Sequence, residues 1–206
     1  MNIKEIDTLR QKLQQSIDLL IKNIGKIQIG SIGLFPYGWR KAAKGRTVWR
    51  IVEEIITQNL EKYHKKFMVD NVHASDSEVT VYDMICEFNN QKAYINIKSA
   101  VDGGKLQKDD ISKAEGLKVF YEEDNERQFF IATFFIQFNN DMSIEITKAV
   151  VFPIAWIRDI YVNPSNNGNL QSAYYKDLKD AIKRDNSQFV PLFLKAKDEA
   201  TQKKKK

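Results

Sequence analysis

The sequence is poor in the residues that build covalent and zinc frameworks. Among its 206 residues there is one cysteine, Cys86, which excludes an internal disulfide and any cysteine-based zinc site. Cys86 lies in the middle of a β-prone run, where a buried, inert thiol is the expected state, and the compartment is expected to be reducing. The only histidines are His64 and His73. They have no third ligand at zinc spacing, so both are expected to be solvated. No apolar run approaches the roughly 20 residues of a membrane-spanning helix. The longest candidates are residues 129–136 and 149–157, and no basic-then-apolar leader opens the chain. The expectation is a soluble, intracellular protein with no membrane partner. Positive charge is less abundant than the formal +5 suggests, because Lys203, Lys204, Lys205 and Lys206 supply four of those charges. Bulk charge therefore does not argue for a polyanionic partner; placement does, through Arg40, Lys41, Lys44, Arg46 and Arg50 in one short stretch.

The chain does hold 43% hydrophobic residues, enough for one substantial core. Residues 1–199 are expected to form a single domain, and 200–206 a disordered lysine-rich tail. Ile3, Ile6, Leu9, Leu13, Ile17, Leu20, Ile21 and Ile24 recur at three- and four-residue steps and predict an amphipathic helix over residues 3–24. Its apolar stripe can serve the core or a dimer contact. Residues 25–38 hold four glycines and Pro36 beside Phe35 and Tyr37, which reads as an irregular connector. A second helix over residues 47–63 buries Val48, Val52, Ile55, Ile56 and Leu60. On that helix Glu53 falls at the margin of the apolar face and Glu54 points almost opposite, so Glu53 is the better candidate for an active-site acid.

Residues 79–100 organise the rest. The first arm is β-branched and aromatic, the second reads Ala-Tyr-Ile-Asn-Ile-Lys, and Asn89-Asn90 between them suits the positive φ angles of a tight hairpin turn. With a two-residue loop Phe88 faces Gln91, and counting back sets Asp83 opposite Asn96 and Val81 opposite Lys98. Asp83, Asn96 and Lys98 then share one face. Directly opposed Cβ atoms lie roughly 4.5–5.5 Å apart, close enough for one small cation to touch both Asp83 and Asn96. A slip of one residue would undo this. Beyond the hairpin, residues 101–107 read as a turn and Asp109-Asp110 as the acidic opening of a helix. Residues 127–138 read as a central strand covered on both faces, and 143–152 as another strand ending at Pro153. Residues 161–174, dense in amides, read as a loop, 174–184 as a closing helix, and 188–194 as a last short strand or extended piece. The fold class is α/β (α+β), a central mixed β-sheet flanked by helices.

Asp83, the hairpin and Asn96-Ile97-Lys98 resemble the core of the PD-(D/E)xK nuclease superfamily, and of its type II restriction endonucleases in particular. Asn96 stands where the family usually has Asp or Glu, and Tyr82 stands where the leading Pro would be. The resemblance implies a restriction-endonuclease-like core and a bacterial, cytoplasmic enzyme. It also implies a Mg²⁺ cofactor and a homodimer that cuts double-stranded DNA at a short, two-fold symmetric site. In that reading Asp83 is the charged metal ligand, the Asn96 side-chain carbonyl a neutral one and the Ile97 carbonyl a third. Lys98 orients the attacking water or takes its proton. Glu53 or Glu87 could complete the negative charge, although Glu87 is better placed to pair with Lys92 across the hairpin. Asn96 can be a natural residue or an Asp-to-Asn substitution.

Phosphate contacts are expected from Arg40, Lys41, Lys44 and Arg46 at the start of the second helix, with Lys105 counted among the DNA-binding residues. Base reading suits Asn163, Asn166, Asn167, Asn169 and Gln171, whose amides can bond two edges of adenine, although Asn and Gly are also ordinary loop residues. Two other functions fit the same residues: a catalytically impaired DNA-binding protein on this fold, and a repair or junction nuclease.

Overall fold

The structure is a computed structural model that describes residues 1–40, 44–75, 77, 80–105, 107–165 and 168–204, the side chains of 44–46 apart. Among these, no helix is long and apolar enough to cross a membrane. Helix α1 spans Ile3–Ile24, as its periodicity predicts. It starts at a capping box in which the Asn2 side chain accepts from Glu5 N and Glu5 accepts from Asn2 N, satisfying two amides that the helix cannot. Its stripe of Leu9, Leu13, Ile17 and Leu20 is fully buried, each side chain stabilising the fold by about 1.5–3 kcal/mol.

Six strands form the main sheet: β1 (Lys26–Gln28), β2 (Asn71–Ala74), β3 (Met84–Phe88), β4 (Gln91–Val101), β6 (Gln128–Phe138) and β7 (Ser143–Pro153). Their order is β1-β7-β6-β4-β3-β2, with β4 and β6 parallel and every other pair antiparallel. This is the expected mixed sheet. One face packs on α1 and on helix α2 (Lys44–Tyr63), through Val48, Val52, Ile56 and Leu60 against Met84, Cys86, Ile95 and Ile97. The other face packs on α3 (Ala114–Glu123) and α4 (Asn186–Lys204), through Phe120, Tyr121, Phe189 and Phe193 against Tyr94, Phe129 and Ile131. Central strand β6 is apolar nearly throughout because both of its faces are covered.

Several expectations are corrected. Asp109 and Asp110 do not open a helix: they begin strand β5 (Asp109–Lys113), and α3 starts only at Ala114. The amide-rich segment is not a plain loop. It contains β8 (Tyr161–Val162) and β9 (Asn169–Ser172), which join β5 in a second, antiparallel sheet of order β5-β9-β8. The closing helix over 174–184 reduces to one 3₁₀ turn, Leu178–Asp180, and 188–194 is helical, within α4. Phe189 and Phe193 sit one helical turn apart, stack at 5.9 Å and are buried, which stabilises a helix despite Pro191 in its second turn. Residues 200–204, expected in a disordered tail, are helical. Helix α4 runs to Lys204, buries Ala200, and ends on Lys203 and Lys204, where cations suit the helix C-terminus.

Candidate active site

The geometry starts from the turn. Asn89 and Asn90 take φ values of 49° and 66°, the left-handed pair that a two-residue hairpin loop requires, and Asn89 N donates to Asp70 Oδ2 at 2.5 Å. Phe88 therefore pairs with Gln91, and the ladder runs in the expected register to Met84 and Ile95. There it stops, so the first arm is shorter than the sequence suggests. At Asp83 the backbone shifts: its N–H donates to Ile95 O at 2.8 Å, while its side-chain Oδ2 accepts the Ile97 N–H at 2.5 Å. The carboxylate takes the place of the next backbone rung and is thereby fixed against β4. Cys86, fully buried in the same arm, has its thiol pushed up to about 12 by burial and is inert, as expected.

Asp83, Asn96, Ile97 and Lys98 line one cleft of about 1010 Å³ with Trp49, Arg50, Glu53 and Glu54 of α2, and Asp110, Ile111, Ser112 and Lys113 of β5. Glu53 is half-buried and Glu54 exposed. Glu53 accepts from Arg50 Nη1 at 3.1 Å, and Arg50 also lies over the Trp49 ring at 4.4 Å. The charges bear on one another. Burial raises the Asp83 carboxyl above its ordinary range, against the Ile97 N–H, Lys98 and Arg50, which hold it down. Burial, then the charge of Asp83, raises Glu53. Burial lowers the Lys98 ammonium, against Asp83, Asp110, Glu53 and Asp109, which raise it. A lysine and two carboxylates perturbed by burial and by each other in one cleft are a recognised mark of a functional site.

Asn96 is 9% exposed, and its Nδ2 donates to two backbone carbonyls, Val81 O at 3.2 Å and Ile111 O at 3.1 Å. Those carbonyls fix which end of the amide is which, since a flipped amide would set oxygen against oxygen. Among the described residues no hydrogen bond reaches Oδ1, which is the atom left for the cleft. Val81 can come this close because α3 presents Gly116, where a Cβ would stand 2.5 Å from Val81 Cγ1. Ser112 Oγ and Asn169 Oδ1, both on residues lining the cleft, are buried without a hydrogen-bond partner among the described residues. Each such orphan costs about 1–3 kcal/mol unless something in the cleft satisfies it. No group of three or more Asp, Glu, His or Cys side chains suited to a metal ion occurs among the described residues.

The remaining candidates are scattered. Glu87 pairs with Lys92 at 3.6 Å near the hairpin turn. Arg40 is exposed, with its guanidinium 5.5 Å from the Tyr37 ring centroid, and Lys105 is exposed after β4; neither is among the residues lining the cleft. Lys41, Asn166 and Asn167 lie outside the described residues, as do the side chains of Lys44 and Arg46. Asn163 Nδ2 donates to Gln171 Oε1 at 3.3 Å and its Oδ1 accepts from Ser165, while Gln171 Nε2 donates to Asp110 Oδ1 at 2.7 Å. These two amides are committed within the protein. Sequence reasoning missed Asp110 and Ser112. No local period marked them, because the β5 register shifts between Asp110 and Ser112, which pair with the adjacent residues Gln171 and Leu170.

No protein-family model matches the sequence, and comparison with curated proteins gives no match. Among solved structures the chain is similar to the NlaIV restriction endonuclease, at 11% identity and a TM-score of 0.46, over 95% of this chain and 83% of that one.

Proposed function

We propose that the chain is a Mg²⁺-dependent endonuclease that hydrolyses phosphodiester bonds of double-stranded DNA at a short specific site, acting as a homodimer in the manner of type II restriction enzymes. The observation that carries this reading is the gathering of Asp83, Glu53, Lys98 and Asn96 along one cleft. The donor set fits a small, hard cation. Asp83 offers a carboxylate, Asn96 Oδ1 and the Ile97 carbonyl offer neutral oxygens, and Mg²⁺ needs only two or three protein oxygens because it keeps several waters. The Ser112 hydroxyl, which lacks a partner among the described residues and belongs to the facing β5 wall, is a natural partner for such a water.

A divalent cation bound there would neutralise charge on the phosphate and make water more acidic. Asp83 would hold it, kept in place by the Ile97 N–H. Lys98, close enough for the charges of Asp83 and Glu53 to act on it, would hold the attacking water at Nζ and face the phosphate. Glu53 would add negative charge from α2, and Arg50 would keep that carboxylate directed. Arg40, Lys41, Lys44, Arg46 and Lys105 would contact phosphates along the duplex. Of the three described amides proposed for base reading, Asn163, Asn169 and Gln171, Asn169 has an oxygen without a hydrogen-bond partner among the described residues, and base reading by Asn163 or Gln171 would require their present bonds to break.

Incubating the protein with supercoiled plasmid and Mg²⁺ or Mn²⁺ tests this. Discrete fragments are the expected result. A smear would indicate a structure-selective or nonspecific nuclease. Retardation without cutting would favour the second reading, an inert DNA-binding protein, for which the uncharged position 96 is the supporting feature.

A further inference from the structure

We infer that Asp110 supplies to this cleft the negative charge that position 96 lacks, carried in from β5 instead of from the hairpin. The inference rests on the metal-dependent reading above and adds a residue to it. Position 96 is built as a donor as well as being uncharged. Both N–H bonds of Asn96 end on carbonyl oxygens, Val81 O and Ile111 O, where a carboxylate would meet only repulsion. The second of those bonds lands on the residue next to Asp110. The uncharged side chain at position 96 is therefore the one that fastens the strand carrying Asp110.

Asp110 is oriented from its far side as well. Its cross-strand partner Gln171 donates to Oδ1 at 2.7 Å, and Gln171 is itself held by Asn163. The neighbouring acid, Asp109, is ion-paired with Lys176 and accepts from Tyr175 Oη at 3.2 Å. Asp110 itself lines the cleft with Asp83 and Lys98 and follows Asp83 among the charges acting on Lys98. An independent sign of a missing ligand lies two residues along the same strand. Ser112 is 8% exposed, lines the cleft, and has a hydroxyl without a partner among the described residues. A hydrated cation would bring that hydroxyl a water. Because no three acidic side chains converge as a direct ligand set among the described residues, Asp110 acts on the hydrated ion, whose waters Mg²⁺ and Mn²⁺ retain.

Calorimetric titration of the full chain with Mn²⁺ tests this in the absence of DNA, with the metal-free melting temperature of each variant as the control for folding. Asp110→Asn is expected to weaken Mn²⁺ binding by about tenfold or more, Asp110→Glu to restore most of it, and Asp83→Asn to abolish it. If Asp110→Asn binds Mn²⁺ as the unaltered chain does while Asp83→Asn does not, the role given to Asp110 is wrong and the site reading stands. If the unaltered chain itself fails to bind Mn²⁺ at millimolar concentration, both are overturned.

Discussion

On one side of the cleft Asp83 and Lys98 are carried by or beside a hairpin whose ladder pairs five consecutive residues around a two-residue turn. On the other side Asp110 and Ser112 are carried by a sheet whose strands are five, four and two residues long, brought together from separate parts of the chain. The first wall is local. Its register follows from the turn, and the turn from two asparagines able to adopt positive φ. The second wall is held by side chains reaching across the fold: Asn96 to Ile111 O, Gln171 to Asp110, and Lys176 to Asp109. Chemistry on the hairpin wall is thus expected to depend on single residues, and on the β5 wall to depend on the bonds that keep it in place.

The sharpest contrast should come from the hairpin wall. Asp83→Asn is expected to lower the single-turnover cleavage rate by roughly a thousandfold or more. The same change should stabilise the metal-free protein at neutral pH. The Asp83 carboxyl is raised above its ordinary value by burial, so the stability it contributes is fully present below that ordinary value and is lost as the pH rises through the raised one. Thermal melts in EDTA should therefore show Asp83→Asn melting higher than the unaltered chain near neutrality, with the gap closing in acid. Added Mn²⁺ should reverse the order. Lys98→Ala is expected to cost roughly a hundredfold in rate, with metal binding retained, which separates the role of the ammonium from that of the carboxylate.

Effects on the β5 wall should be smaller and should appear first as stability. Asn96→Asp would turn an oxygen toward two carbonyl oxygens and release β5, for an expected loss of about 1–3 kcal/mol in urea unfolding. A variant as stable as the unaltered chain would mean that the two walls are not joined through this amide. Gln171→Ala should reduce cleavage by about tenfold, through loss of the bond that orients Asp110. Smallest of all, Arg40→Ala should leave chemistry intact and lower the salt dependence of duplex binding by about one unit of slope, read by filter binding across a salt series.

The same contrast explains what the sequence disclosed. The hairpin, helix α1 and the central strand were legible because each rests on a local period: alternation about Asn89-Asn90, three- and four-residue steps from Ile3 to Ile24, and a long apolar run in β6. The break in the ladder at Asp83 was not, since it depends on a side chain replacing a backbone acceptor. The β5-β9-β8 sheet was illegible for a different reason. Asp109-Asp110 ahead of Ile111 has the composition of a helix start, and the amides around Asn169 and Gln171 that of a loop, until pairing between the two segments makes strands of both. Helix α4 was missed because Phe189, Val190, Leu192 and Phe193 cluster as they would in a strand, and only the packing of Phe189 on Tyr121 and on Phe193 selects the helix. For the site, Asp83, Asn96 and Lys98 were readable as a group, whereas the acid on the opposite wall required the fold.

The claim beneath all of this is that the Asp83 carboxylate and a divalent cation together make the cleft a nuclease site. Single-turnover cleavage of supercoiled plasmid, with Mg²⁺ or with EDTA, by the unaltered chain and by Asp83→Asn tests it most directly. Cutting by the unaltered chain that needs Mg²⁺ and disappears in Asp83→Asn is the predicted result. Cutting that persists in EDTA, cutting by both proteins at the same rate, or cutting by neither would contradict it.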